Sequence, residues 1–177
     1  MTVLSGESLR KVMRRLPAPV TVVTTAFEDT FRGITIGSFT STSLEPALVS
    51  LNVSRESPMV DLLSRSGRFV VHFLREDQSP MAERFAIPNM AGPGQFEGIP
   101  YSTSDEGLPL IGDVLARLEC SLQDVHDAGD HVIVVGIVRR ATELEDGRPL
   151  LYYDREYVSV ASGAASDDRK PAGIRTS

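Results

Sequence analysis

A mainly β fold, a small antiparallel barrel with a few short helices, is what this sequence predicts. Two observations carry that reading. Apolar residues recur with period two in short stretches bounded by turn residues. The stretches follow one another through short turns, with no regular strand–helix–strand alternation and no internal repeat. About seven strands and three short helices are expected. Closing such strands into a barrel removes the exposed edges of an open sheet.

The first helix is read from Leu9, Val12, Met13 and Leu16, spaced i, i+3, i+4, i+7, with Ser5 as N-cap and Pro17 and Pro19 ending it. Arg10, Lys11, Arg14 and Arg15 fill its other face, read as solvated. Residues 20–27 are β-branched and form a strand, turned by Glu28, Asp29 and Thr30 into a partner over 31–37. Residues 48–54 make another strand with unlike faces: Val49, Leu51 and Val53 on one, Leu48, Ser50, Asn52 and Ser54 on the other. A mostly polar face among apolar strands marks a lined site or wet interface.

Ser57-Pro58 and Ser79-Pro80 read as helix starts, the helices reaching about Ser64 and Phe85. Between them Gly67 opens a strand over 68–74. Residues 86–112 are rich in Gly and Pro and read as a long loop with short extended pieces. Two long strands, 115–126 and 131–142, flank a turn at 127–130, and a last strand lies within 150–160. One domain over residues 1–162 is expected, with 163–177 a disordered tail.

The formal net charge of −6 and pI of about 5.1 argue against nucleic acid and anionic membranes as partners. No apolar run reaches the roughly 20 residues that span a bilayer, and the N-terminus lacks a signal-peptide core. The single cysteine, Cys120, excludes an intrachain disulfide framework and alternates with Leu118 and Leu122 as a core residue would. A cytoplasmic protein is expected. The stretch GPGQFEG at 92–98 has the wrong spacing for a dinucleotide loop and contains a proline. HDAGDH at 126–131 could offer metal ligands only if they shared a face with others, so a polar strand–turn–strand tip is the preferred reading.

Hydroxyl residues crowd 32–54: Thr35, Ser38, Thr40, Ser41, Thr42 and Ser43 lie between two apolar strands. In order and spacing, GITIGSFTSTSLEP, SGRFVVHFL, RF, FEG, VHDAGDHVIVVGIV and PLLYYDREY make the chain resemble the flavin reductase-like family over about residues 8–160. These are short-chain NAD(P)H:flavin oxidoreductases that supply reduced flavin to two-component monooxygenases.

The resemblance implies an FMN-binding split barrel, Greek-key-like and homodimeric, with FMN or FAD and NADH or NADPH as cofactors and a flavin-dependent monooxygenase as acceptor. By the family pattern Thr35, Ser38, Phe39, Thr40 and Ser41 would follow the isoalloxazine and ribityl chain, and Asn52, Val53 and Ser54 the flavin on the next strand. Ser57, at a helix start, is the candidate phosphate ligand with Arg55 nearby. Arg84 and Phe85 match the family's R-F at the phosphate or adenine side. His131 and Tyr153 are assigned to the nicotinamide side. No side-chain acid or base is required, so no catalytic residue is expected, and no metal. The departures are Pro17-Ala18-Pro19 for a usual glycine, Pro46-Ala47 for Pro-Pro, His72 where Asn is common, and Tyr153-Asp154-Arg155 for Tyr-Arg-Gly. A non-catalytic flavin- or haem-binding barrel, or an assembly partner of an oxygenase, is the rival reading.

Overall fold

The structure is a computed structural model, and it describes residues 4–88 and 90–161. In chain order the elements are α1 (Gly6–Met13), β1 (Ala18–Pro19), β2 (Thr21–Phe27), β3 (Thr30–Ile36), β4 (Thr40–Leu44), β5 (Ala47–Ser54), α2 (Pro58–Ser66), β6 (Arg68–Phe73), α3 (Ser79–Phe85), α4 (Pro93–Phe96), β7 (Tyr101–Thr103), β8 (Pro109–Ile111), β9 (Ala116–Ala128), β10 (His131–Glu143), β11 (Leu150–Tyr153) and β12 (Glu156–Ser159). A seven-stranded sheet runs in the order β3-β2-β6-β9-β10-β5-β4. β1, β11 and β12 form a smaller sheet, and β7 pairs with β8.

The alternation along β5 survives intact: Val49, Leu51 and Val53 are buried, Asn52 and Ser54 exposed. The buried row meets Val23 and Ile36, from near the other end of the sheet order, in one core with Phe69, Val71, Cys120 and Val134. Strands in a flat sheet lie about 4.8 Å apart, so such distant strands could not share a core. The sheet is therefore curled into a barrel. It stays split on one side, since among the described residues no ladder joins β3 to β4 or β5. Residues 37–39 cross the split. There Ser38 Oγ accepts the Asn52 N–H at 2.9 Å and donates to the Asn52 carbonyl at 3.2 Å.

α2 packs Met59 and Leu63 into this core. Ser57 caps it by accepting the Met59 N–H at 3.3 Å, and Gly67 ends it at a φ of 64°. Gly136 leaves room for the Phe69 ring, which a Cβ there would strike. Cys120 lies buried beneath the same strands, and burial, with the Glu119 charge second, pushes its thiol up to about 12.

The long connection 86–115 folds over the outside of β6 and β2. Buried polar side chains pin it there. His72 Nδ1 lies 3.0 Å from the Val22 carbonyl and so carries the proton, while Nε2 accepts the Ile111 N–H at 3.1 Å. Gln95 accepts the Gly33 N–H at 2.9 Å and donates to the Gly33 carbonyl at 2.8 Å. Gln78 accepts the Arg75 N–H at 2.8 Å and donates to the Asp113 carbonyl at 2.9 Å.

Several expectations need correction. Thr40–Leu44, inside the hydroxyl-rich run, is a strand, because it pairs with β5 through its backbone and needs no apolar alternation. Residues 150–160 form a two-stranded hairpin, β11 and β12, outside the main sheet. Gln78, not Ser79, is the N-cap of α3. α1 ends at Met13, before the prolines, and its stripe is not buried: Leu9, Val12, Met13 and Leu16 are all exposed. The expected tail at 163–177 lies outside the described residues.

His72 makes the fold sensitive to acid. Desolvation lowers its pKa from 6.5 to about 4, against the raising effect of its bond to Val22. The unfolded chain therefore binds a proton that the folded chain refuses. Stability from this group is complete above about pH 6.5 and is lost as pH falls through about 4, by about 3 kcal/mol in all. His72→Asn should flatten the fall in urea midpoint between pH 6.5 and 5 seen for the parent. Identical pH profiles for the two proteins would disprove this role.

Candidate functional site

Two grooves open along the outward face of β5. The first, of about 390 Å³, is bounded by Ser54, Glu56 and Ser57, by Arg32 and Gly33 of β3, and by Phe85 with the chain that follows it. The start of α2 presents N–H groups here, with Ser57 as cap. Arg32 is nearly buried and steadied by a 3.0 Å bond from Nη2 to the Met90 carbonyl. Glu56 adds an opposing negative charge. The wall is rigid: Gln95 holds both polar groups of Gly33, and the buried Phe85 ring lies where a Cβ on Gly33 would be, 2.5 Å away.

The second groove, of about 770 Å³, lies between α1, residues 17–19, and the split in the barrel. Ser38, Phe39 and Asn52 form its floor, and Tyr152 stands at its side. Phe39 is held by the Phe73 ring at 5.4 Å, and Tyr152 by Tyr157 at 5.3 Å. Among the described residues, none of the backbone hydrogen bonds made outside helices and ladders involves residues 37–39. Their amides are available to a ligand. Asn52 and Ser54 sit two apart on one strand face, about 7 Å from each other, so the two grooves adjoin.

The turn 127–130 lies beside the end of β5, and neither it nor His131 lines either groove. Arg55 clamps it, with its N–H to the Asp130 carbonyl at 3.0 Å, Nη2 to the Gly129 carbonyl at 3.1 Å and Nη1 to Asp127 at 2.8 Å. His131 stands across the ladder from Ser54, its Nδ1 2.7 Å from Asp130. That bond holds the Asp130 carboxyl below its usual range, with the charge of Arg10 the smallest of the causes. Nδ1 donates to the carboxylate, so in the neutral ring Nε2 is an acceptor.

A family model described as the flavin reductase like domain matches residues 13–161. The chain belongs to this family. It is 35% identical over 151 residues to the reductase subunit HsaB of a flavin-dependent monooxygenase from Rhodococcus jostii, covering 85% of this chain and 76% of that one. To the FMN reductase (NADH) SmoA of Agrobacterium fabrum it is 36% identical over 148 residues, covering 84% and 82%. The crystal structure of nitrilotriacetate monooxygenase component B from Mycobacterium thermoresistibile superposes with a TM-score of 0.83 at 34% identity, covering 96% and 92%. The flavin reductase HpaC, solved with NADP+, gives 0.82 at 32% identity, covering 89% and 99%. The split barrel is thus the fold of the flavin reductases.

The expected site residues divide. Ser38, Phe39 and Asn52 come together at the second groove, and Ser54, Ser57 and Phe85 at the first. Thr35 lines neither, and its hydroxyl donates to the Ala82 carbonyl at 2.6 Å, tying α3 to β3. Thr40 and Ser41 lie exposed on β4. The Val53 side chain belongs to the core, which leaves only its backbone for a ligand. Arg84 faces a different recess and donates to the Glu97 carbonyl; Arg32 is the cation of the first groove. Tyr152, not Tyr153, lines the second groove, as alternate residues of β11 face opposite ways. Arg55 serves the turn. Among the described residues no group of His, Cys, Asp and Glu could hold a metal ion, and no helix is long and apolar enough to cross a membrane.

The donor set fits a flavin: an anion site at one end, flat apolar walls and unused amides at the other. Gly33 is the most constrained point of the wall. Gly33→Ala should press on Phe85 and lower stability by about 1–3 kcal/mol, read as a lower urea midpoint with unchanged m value. An unchanged midpoint would mean that the Phe85 ring yields freely.

Proposed function

We propose that this protein is an NAD(P)H:flavin oxidoreductase that passes reduced flavin to a flavin-dependent monooxygenase. The outward row of β5 carries the reading. It joins an anion site at Ser57 and Arg32 to a ring-sized recess at Ser38 and Phe39. A phosphate at the first and a tricyclic ring at the second match the two ends of FMN, or of the FMN half of FAD. Relatives named as reductase subunits of monooxygenases and as NADH-dependent flavin reductases support the acceptor and the donor.

A bound flavin and a nicotinamide nucleotide would supply the redox chemistry, hydride transfer from nicotinamide C4 to flavin N5. The chain supplies placement. Amides of residues 37–39 would hold the polar edge of the ring and would stabilise negative charge there. Phe39 and residues 17–19 give the ring a flat bed. His131, fixed by Asp130, offers Nε2 to a carboxamide N–H from the rim. No proton from a side chain is needed. The exposed apolar stripe of α1 and the half-buried outward residues Ile133, Val135 and Ile137 of β10 support a homodimer that shelters the open groove.

Anaerobic mixing of protein, NADH or NADPH, and FMN or FAD should bleach the oxidised flavin band far faster than the protein-free control. No acceleration with any of these pairs would sink the reductase reading. The two ends of the flavin can be separated by comparing ligands. Ser57→Ala should weaken FMN binding about tenfold and leave riboflavin nearly unchanged, whereas Ser38→Ala should weaken both alike. Fluorescence quenching measures each, and equal loss of both ligands in Ser57→Ala would move the phosphate elsewhere.

A further inference from the structure

One carboxylate stands where an anion site has no use for it. Residues 54–57 make a tight turn, closed by the Ser57 N–H donating to the Ser54 carbonyl at 2.9 Å. Arg55 and Glu56 occupy its corner, and the fold sends their charges different ways. Arg55 is drawn off to the turn at 127–130, where Nη2 donates to the Gly129 carbonyl and Nη1 pairs with Asp127. Glu56 stays at the first groove, directly ahead of the Ser57 cap. Among the described residues no ion pair or hydrogen bond engages its carboxylate.

The charge balance of the groove follows. Among the described residues that line it, only Arg32 and Glu56 are charged, and their formal charges cancel. What remains is the start of α2, whose dipole acts as roughly half a positive charge. Without Glu56 the groove would offer about +1.5, some threefold more. A phosphate monoester brings about −1.5 to −2 near pH 7. Glu56 and Ser57 are chain neighbours, about 3.8 Å apart at Cα. A phosphate on the cap therefore lies well inside the range over which Glu56 repels it.

We propose that Glu56 is a specificity-determining residue that weakens the hold on the flavin phosphate, so that the site selects a flavin by its ring and separates phosphorylated from unphosphorylated forms only narrowly. This rests on the reading that the first groove receives the flavin phosphate. A loss of affinity of this kind falls mainly on the off-rate. It suits a flavin that is to be handed on.

The test titrates the full chain with FMN and riboflavin by fluorescence quenching, needing no turnover. Glu56→Gln keeps the shape of the side chain and removes its charge; FMN should bind about fivefold tighter, and riboflavin should stay within about twofold of the parent. Glu56→Asp keeps the charge and should keep the parent's ratio of the two affinities. The gain in Glu56→Gln should shrink to about twofold or less in 1 M salt, where the Debye length falls to ~3 Å. A glutamate that only complements the dipole of α2 would lower the urea midpoint on removal and leave the ratio alone. An FMN-to-riboflavin ratio unchanged in Glu56→Gln, equal tightening of both flavins, a gain that persists in 1 M salt, or no binding of FMN by the parent would overturn the proposal. If Ser57→Ala then still weakens FMN alone, the phosphate keeps its place and only the role of Glu56 falls. If Ser57→Ala weakens both flavins alike, the phosphate lies elsewhere and the reading of the groove falls as well. A chain in which Glu56→Gln tightens FMN alone, yet which bleaches no flavin, would retain this role and lose the reductase reading.

Discussion

Ser38 and Asn52 hold the barrel across its split, and the site is organised around that contact. One hydroxyl accepts from and donates to the same residue's backbone. It does without a ladder what the other seams of the sheet do with one. Because a single side chain spans the gap, residues 37–39 need not pair as a strand, and their amides stay free. A continuous ladder there would have closed the barrel and used up the donors. The split is thus an opening kept narrow by one serine.

The groove walls draw their rigidity from the opposite face of the sheet. Gln95 reaches from the long connection to fix Gly33, and Phe85 fills the space that a side chain at 33 would take. His72 and Gln78 fix the same connection further along. In each of these three side chains a donor and an acceptor are paired, so none of them is buried without partners. Phe85 packs edge-on against Phe96 at 5.1 Å, which carries the order of α4 into the wall of the first groove.

Patterns confined to one element were readable from the sequence. The period-two alternation of β5 exposes Asn52 and Ser54, and Ser57-Pro58 with Gly67 bounds α2. What depended on a neighbour was not. Whether a hydroxyl faces a ligand or a carbonyl is decided by which helix passes, and α3 passes Thr35. Arg32 lines the first groove and Arg84 does not, because α3 turns Phe85 inward, while β3 lies under a connection whose path has no periodic signal. Tyr153 was expected where Tyr152 stands, a slip of one residue, and in a strand one residue reverses the face. The apolar stripe of α1 announced a helix correctly, yet the stripe lies exposed.

The burial of Cys120 has a practical consequence. With its thiol buried and pushed up to about 12, the sulfur is held in its unreactive protonated form at ordinary pH. Alkylating reagents therefore meet a folded protein without a reactive sulfur. They can reach it only when β6, β9 and β10 part around Phe69 and Gly136. The rate of Cys120 labelling becomes a clock for opening of the barrel, read at a single native residue and with no probe introduced.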